Sequence, residues 1–172
     1  MPTPDELQQR IAALEGRLAA VEGVQAIERL KARYAELVDA RYSRGNVVEP
    51  AKLEEAARRI AELFTEDGVW DGGKALGVAR GRDEIAARMR EPTLLFSWHY
   101  FLKPRIEVEG DSARARWDIL SPCTTKDGRP HWMAGFEDDS YRKVDGEWLH
   151  SQMKLTVVFL SPHATGWEKV FV

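Results

Sequence analysis

Residues 131–160 read HWMAGFEDDSYRKVDGEWLHSQMKLTVVFL. Two runs rich in aromatic and β-branched residues, from about His131 to Arg142 and from about Trp148 to Leu160, flank the turn Val144-Asp145-Gly146. Such runs favour β-strands, and an Asp-Gly pair between them is a strong marker of a hairpin. The stretch therefore predicts two long antiparallel strands.

The segments before it continue the same pattern. Strand-like runs lie from about Leu94 to Leu102 and from about Ala113 to Leu120. The turn signals between runs are Glu109-Gly110-Asp111 and Lys126-Asp127-Gly128. Consecutive hairpins predict an antiparallel meander. Earlier still, Val69-Trp70-Asp71 is typical of a short strand followed by a loop, whose glycines are Gly72, Gly73, Gly77 and Gly81.

The first half of the chain has helical periodicity. Apolar residues at helical spacing predict a helix from about Val24 to Tyr42, ending near Arg44-Gly45-Asn46, a second from about Pro50 to Phe64, and a short one from Asp83 to Arg90. Helices followed by strands favour an α+β fold over a parallel sheet. We expect one domain, residues 24–172, in which helices close over a curved antiparallel sheet and leave a pocket at its open end.

An N-terminal helical arm, residues 1–23, precedes that domain. Its apolar residues alternate in steps of four and three and are Leu7, Ile11, Leu14, Leu18 and Val21. About two heptads are too few for a self-sufficient coiled coil, so the arm must dock on its own domain or on a neighbouring subunit. The contact between subunits is the favoured alternative.

Composition excludes several classes of protein. The chain has 172 residues, of which 44% are hydrophobic and 31% charged, and a net charge of -3. This spread of charge offers no basic surface for nucleic acid. No apolar run approaches the ~18 residues of a membrane span, and the first residues do not resemble a secretion signal. The single cysteine, Cys123, cannot form an intramolecular disulfide, and a cytoplasmic location is expected.

Two polar residues in apolar surroundings are candidates for catalysis. Asp39 lies beside the apolar stripe of the helix that starts near Val24, and His99 lies inside the strand-like run. Alone, Asp39 could be solvated or paired with Arg41 or Lys31, and His99 could be a structural core residue. Together, a carboxylate that orients an imidazole makes a general base near neutral pH. Tyr34, on the same helix, could add a hydrogen-bond donor or general acid.

Other kinds of site have no support in the sequence. The four histidines are scattered without ligand spacing, so no metal site is predicted. No Gly-x-Ser-x-Gly motif surrounds any serine, which argues against a hydrolase triad. No cofactor is expected. The side chains most suited to wall an apolar ligand are Trp70, Phe101, Trp117, Trp132, Met133 and Phe136.

Several segments resemble a known family. They are residues 26–39, Leu63-Phe64-Thr65-Glu66-Asp67-Gly68-Val69-Trp70, Gly81-Arg82-Asp83-Glu84-Ile85, residues 112–117 and residues 138–148. In this order they resemble the SnoaL-like branch of the nuclear transport factor 2-like superfamily, over about residues 24 to 155. The pattern is most similar to the bile acid 7α-dehydratase type, with scytalone dehydratase and lindane dehydrochlorinase as more distant relatives. The resemblance implies a cone of curved sheet, a cystatin-like fold, and a homodimer or homotrimer.

The resemblance also implies roles for individual residues. Asp39 and His99 correspond to a dyad that abstracts a proton during β-elimination, Tyr34 to a helical tyrosine, and Trp70 to a pocket aromatic. An acidic and a basic pocket residue of the dehydratase fall near Ser121 and Thr156, a departure that implies a different substrate. Lys154 could supply a replacement charge.

These correspondences imply a cofactor-independent lyase, or an isomerase, acting on an apolar cyclic small molecule. The alternative is a non-catalytic ligand-binding or assembly protein, like the small subunits of ring-hydroxylating dioxygenases.

Overall fold

The chain begins with one long helix, α1 (Pro4–Asp39), in a computed structural model that describes residues 2–164. Thr3 caps it: the Thr3 hydroxyl accepts from the Glu6 backbone N–H, and the Glu6 carboxylate accepts from that of Thr3. The helix passes through Gly23, where the sequence predicted a boundary between the arm and a second helix. Gly23 remains helical because its missing side chain lets α1 approach Val108 and Trp148.

Three further helices and nine strands follow in the described chain. They are β1 (Tyr42–Ser43), β2 (Asn46–Val47), α2 (Pro50–Ala61), β3 (Phe64–Asp71), α3 (Gly73–Leu76), β4 (Val78–Arg80), α4 (Gly81–Met89), β5 (Leu94–Ser97), β6 (Tyr100–Glu109), β7 (Ser112–Thr125), β8 (Pro130–Val144) and β9 (Glu147–Pro162). The expected ends of two helices were too late, since α1 stops at Asp39 and α2 at Ala61. Phe64 instead opens β3, which extends through the predicted turn at residues 65–68.

The meander predicted from the Asp-Gly turns is confirmed. Strands β6, β7, β8 and β9 pair consecutively and antiparallel, and the larger sheet has the order β4-β3-β9-β8-β7-β5, with β6 also beside β7. One pair differs from the expected sheet, because β3 lies parallel to β9, with Trp70 opposite Met153. The fold is the expected α+β arrangement of helices against a curved, mostly antiparallel sheet.

The run from Leu94 to Leu102, predicted as one strand, is two strands in the structure. The break falls at Trp98 and His99. The His99 backbone N–H donates to the Asp39 carboxylate at 3.1 and 3.3 Å, so it is not available to a neighbouring strand. A contact with the end of α1 therefore interrupts the strand.

The core lies between the second half of α1 and the concave face of the sheet. The side chains of α1 buried there include Ile27, Leu30, Tyr34, Leu37 and Val38. They pack in one apolar cluster with sheet residues such as Trp117 and Met153. Full burial of each large apolar side chain contributes roughly 1.5–3 kcal/mol, which fixes this half of α1 across the sheet. Within residues 2–164, no helix is long and apolar enough to cross a membrane.

Candidate active site

The end of α1 meets the break between β5 and β6. Asp39, the last residue of the helix, places its Oδ1 2.7 Å from Nδ1 of His99. The two side chains are nearly buried, with 10% of Asp39 and 15% of His99 exposed. The predicted partners Arg41 and Lys31 bond elsewhere: Arg41 Nε donates to the Val38 carbonyl, and Lys31 binds two other carboxylates.

This contact determines which nitrogen of His99 is free to act as a base. A carboxylate only accepts hydrogen bonds, so the Asp39 contact assigns the proton of the neutral imidazole to Nδ1. Nε2 then carries the lone pair, 3.4 Å from the Ser97 hydroxyl. The C-terminal end of a helix carries partial negative charge, so the end of α1 and Asp39 both place negative charge beside the His99 ring.

A cavity opens beside the dyad. Its volume is about 100 Å³. Its wall combines His99 and Tyr34 with apolar side chains from the helices and from β7, β8 and β9. The lining includes Tyr34, Arg41, Trp70, His99, Met133 and Glu137. Pockets for drug-sized ligands measure about 300–1,000 Å³, so only part of a large ligand would fit inside this cavity.

Tyr34 presents its hydroxyl as a donor in this cavity. The hydroxyl accepts a hydrogen bond from Nε1 of Trp70 at 3.2 Å. Burial raises the pKa of Tyr34 well above its usual value, and the negative charge of Glu137 raises it further. Tyr34 therefore keeps its proton near neutral pH, which favours the role of hydrogen-bond donor over that of general acid.

Ser121 lies behind the cavity wall. It is fully buried, and its hydroxyl is 2.8 Å from that of Ser97, which in turn contacts His99. The structure thus connects Ser121 to the dyad through Ser97, but Ser121 does not line the cavity as predicted.

The other predicted pocket residues divide into two groups. Trp70 and Met133 line the cavity. Phe101 and Thr156 do not: Phe101 packs with its ring centroid 6.3 Å from that of His99, and Thr156 is half-buried opposite Phe136 in β8. In β9 the cavity contact comes from Leu155, because successive residues of a strand face opposite sides. For the same reason Lys154 is exposed and lies outside the cavity.

The other three aromatic residues predicted to wall the pocket lie outside the cavity. Trp117 is in the core and donates to the Tyr141 hydroxyl at 3.1 Å. Trp132 donates to His163, and Phe136 lies under the guanidinium of Arg116.

Sequence reasoning missed Glu137, a buried carboxyl group of the cavity wall. Lys31 binds both Glu137 and Asp139, with an Nζ–Oδ2 distance of 2.8 Å to Asp139. Burial raises the pKa of Glu137 to about 7, against the opposing effect of Lys31. The signal was present: Lys31 falls on the apolar stripe four residues after Ile27, and Glu137, Asp139 and Tyr141 alternate along one face of β8.

Arg41 is a second missed residue of the cavity wall. Its Nη1 donates to the Met89 carbonyl at 3.3 Å, and its Nε is held by Val38. Within residues 2–164, the hydrogen bonds of Arg41 involve Nε and Nη1 but not Nη2. The guanidinium of Arg41 is therefore fixed at the cavity with donor capacity to spare.

The part of the chain described by the structure holds no group of three or more His, Cys, Asp or Glu side chains placed to bind a metal ion. The chemistry that this geometry supports is proton transfer at His99.

Comparison with known protein families shows which family the chain belongs to. Residues 19–154 match the family model of the SnoaL-like domain. The chain belongs to the SnoaL-like family. No curated protein matches this SnoaL-like sequence.

Solved structures share the fold of this SnoaL-like protein. A candidate aromatic ring hydroxylase from Novosphingobium aromaticivorans has 23% identity and a TM-score of 0.68, over 84% of this chain and 96% of its own. A candidate scytalone dehydratase from the same organism has 21% identity and a TM-score of 0.66, over 83% and 89%. Hexachlorocyclohexane dehydrochlorinase LinA-type3 from Novosphingobium barchaimii has 19% identity and a TM-score of 0.69, over 84% and 92%.

Proposed function

We propose that this protein is a cofactor-independent lyase that acts by β-elimination on an apolar cyclic small molecule. The observation that carries the proposal is the contact of Asp39 with Nδ1 of His99 at the wall of a cavity. Two of the fold neighbours support it, since their names denote a dehydratase and a dehydrochlorinase.

The proposed step is a proton abstraction. Nε2 of His99 takes a proton from the carbon next to an activating group, and the electrons of that C–H bond form the new double bond. The leaving group departs from the adjacent carbon with its bonding electrons. Asp39 stabilises the imidazolium that results. Proton transfer by a positioned side chain such as His99 contributes about 10²–10⁴-fold to rate. If no leaving group is present, return of the proton to another carbon gives isomerisation.

The polar groups of the cavity suit a substrate with a carbonyl oxygen. Proton loss next to a carbonyl places negative charge on its oxygen, and donors held in position stabilise that charge. The Tyr34 hydroxyl and the Arg41 guanidinium are the donors at hand. Trp70, Met133 and Leu155 supply the apolar surface that a cyclic ligand would cover.

The test measures proton abstraction separately from elimination. A cyclic β-hydroxyketone, 3-hydroxycyclohexanone, is incubated with the protein in D₂O. Nuclear magnetic resonance then follows exchange of the α-proton and formation of the enone. We expect His99→Ala and Asp39→Asn each to reduce both rates at least about a hundredfold, with thermal unfolding close to wild type.

Two matched substitutions serve as controls. His131→Ala removes an imidazole, and Asp138→Asn a carboxylate that pairs with Arg116, both outside the cavity. These variants should keep wild-type rates. Exchange that survives in both dyad variants would contradict the proposal, and saturable binding of the ketone without any exchange would favour the non-catalytic binding protein.

The homodimer or homotrimer implied by the family resemblance is part of the proposal, as is a cytoplasmic location. The single Cys123 is buried and free, which is consistent with a reducing compartment.

A further inference from the structure

The first part of α1 projects from the rest of the molecule. Every residue from Pro2 to Ala19 is exposed, so the arm makes no packing contact that buries a side chain. Its five apolar residues Leu7, Ile11, Leu14, Leu18 and Val21 are between 45% and 59% exposed. Most helical stability in proteins comes from packing of an apolar face, which the arm lacks, so it needs a partner along this stripe. Because α1 continues into the folded domain, the arm does not have to nucleate its own helix, as a free peptide of two heptads would.

The partner cannot be the arm's own domain. An α-helix advances about 100° per residue, which puts the stripe from Leu7 to Val21 about half a turn away from the face that carries Gly23, Ile27 and Tyr34. That second face is the one buried against the sheet. Because α1 is continuous, the stripe points away from its own sheet.

The charges beside the stripe indicate what covers it. In heptad notation Ile11 and Leu18 occupy position a, and Leu7, Leu14 and Val21 occupy position d. Arg10 and Arg17 then lie at position g, while Glu15 and Glu22 lie at position e. All four charged side chains are exposed.

This charge pattern distinguishes two orientations. In a parallel pair, each g residue faces the e residue five positions later on the other helix, so Arg10 meets Glu15 and Arg17 meets Glu22. In an antiparallel pair, g faces g and e faces e, which would place arginine beside arginine and glutamate beside glutamate.

We propose that the arm, residues 4–22, forms a parallel two-stranded coiled coil with the arm of a second copy of this chain. In the N-terminal part of the seam, Ile11 at position a lies between Leu7 and Leu14 at position d, which favours two strands, whereas Leu18 at a and Val21 at d do not add to that preference. The pair has two-fold symmetry along the arms, so both domains are attached at the same end of the coil.

Cysteine cross-linking tests the orientation in the full-length chain. In a parallel pair, Leu7 lies opposite Leu7, within the Cα separation of about 4.4–6.8 Å that a disulfide requires, whereas in an antiparallel pair Leu7 would lie opposite Leu18. Leu7→Cys should therefore form an intermolecular disulfide under mild oxidation. Gln9→Cys, at the outward position f, is the matched control and should stay monomeric on a non-reducing gel. Equal cross-linking of the two variants would overturn the proposal. It is also the result expected if the arm docks on the sheet of the second copy instead of on its arm.

Charge reversal tests the ion pairs by sedimentation. Arg10→Glu with Arg17→Glu puts four like-charge contacts in the coil, and should raise the dissociation constant by about tenfold or more. Glu15→Lys with Glu22→Lys should do the same. A mixture of these two variants places Glu opposite Lys or Arg at every e/g contact, and should restore association to the wild-type level. Association unaffected by either reversal, or a mixture as weak as its components, would overturn the proposal.

Discussion

Glu137 lies in surroundings unlike those of an ordinary carboxylate. It is buried with Lys31 and Asp139, so one ammonium group faces two carboxyl groups. Burial raises the pKa of Glu137 from 4.5 to about 7. Between these two values the folded protein binds a proton that the unfolded chain has released. The free energy of unfolding therefore falls as the pH rises from 4.5 to about 7. Below pH 4.5 the folded and unfolded states both hold the proton, so Glu137 causes no pH dependence there.

Removal of this carboxyl group should reduce that pH dependence, while burial of the neighbouring Asp139, which raises its pKa, retains part of it. A shift of the pKa from 4.5 to about 7 lowers the free energy of unfolding of the wild type by roughly 3 kcal/mol across this pH range. We expect urea unfolding to show this decline in the wild type relative to Glu137→Gln. Glu107→Gln, an exposed change in β6, should keep the wild-type profile. Parallel profiles for wild type and Glu137→Gln would show that burial does not perturb this group.

The residues of the site differ in how far sequence could identify them. Asp39 and His99 were each visible as polar residues in apolar patterns, but their contact joins positions 60 residues apart. Only the packing of α1 across the sheet creates it. Glu137 was not identified because Glu137, Asp138 and Asp139 are consecutive acidic residues in the predicted strand, and acidic side chains are mostly exposed. The register of β8 determines that Glu137 and Asp139 face the core while Asp138 faces outward.

At the scale of elements, local chemistry predicted most of the fold. Asp-Gly turns located the hairpins, and helical periodicity located α1 and α2. The errors occur where a distant contact overrides local preference. The His99 backbone binds Asp39 and ends a strand, while Gly23 fits against Val108 and Trp148 instead of ending a helix.

The two glycines of α1 should respond oppositely to substitution. A Cβ at Gly16 would meet nothing within 4 Å, whereas one at Gly23 would lie 3.1 Å from Val108. Gly16→Ala should stabilise the arm by up to about 1 kcal/mol, measured as slower amide exchange in residues 4–19. Gly23→Leu should instead lower the melting temperature of the domain, because the larger side chain separates α1 from the sheet. An unchanged melting temperature in Gly23→Leu would mean that this close approach contributes little to stability.

At the scale of the whole molecule, α1 connects two separate regions. Its 36 residues span about 54 Å, from the exposed arm to Asp39 at the cavity. The SnoaL-like match starts at residue 19, close to the point where side chains first become partly buried. Every residue that lines the cavity lies beyond that point, the first being Tyr34. Residues 4–18 therefore lie outside the matched family model, and they supply no side chain to this cavity.

This separation predicts the behaviour of a shortened protein. A chain that starts at residue 19 retains the buried face of α1, the sheet and both dyad residues, so it should unfold at nearly the wild-type temperature. Its proton-exchange rate with the cyclic ketone should match that of the full chain. Its self-association should weaken to the level of the charge-reversed variants, because the coil is absent. Calorimetry, exchange in D₂O and sedimentation measure the three properties independently. Loss of exchange with an unchanged melting temperature would show instead that pairing of the arms organises the cavity.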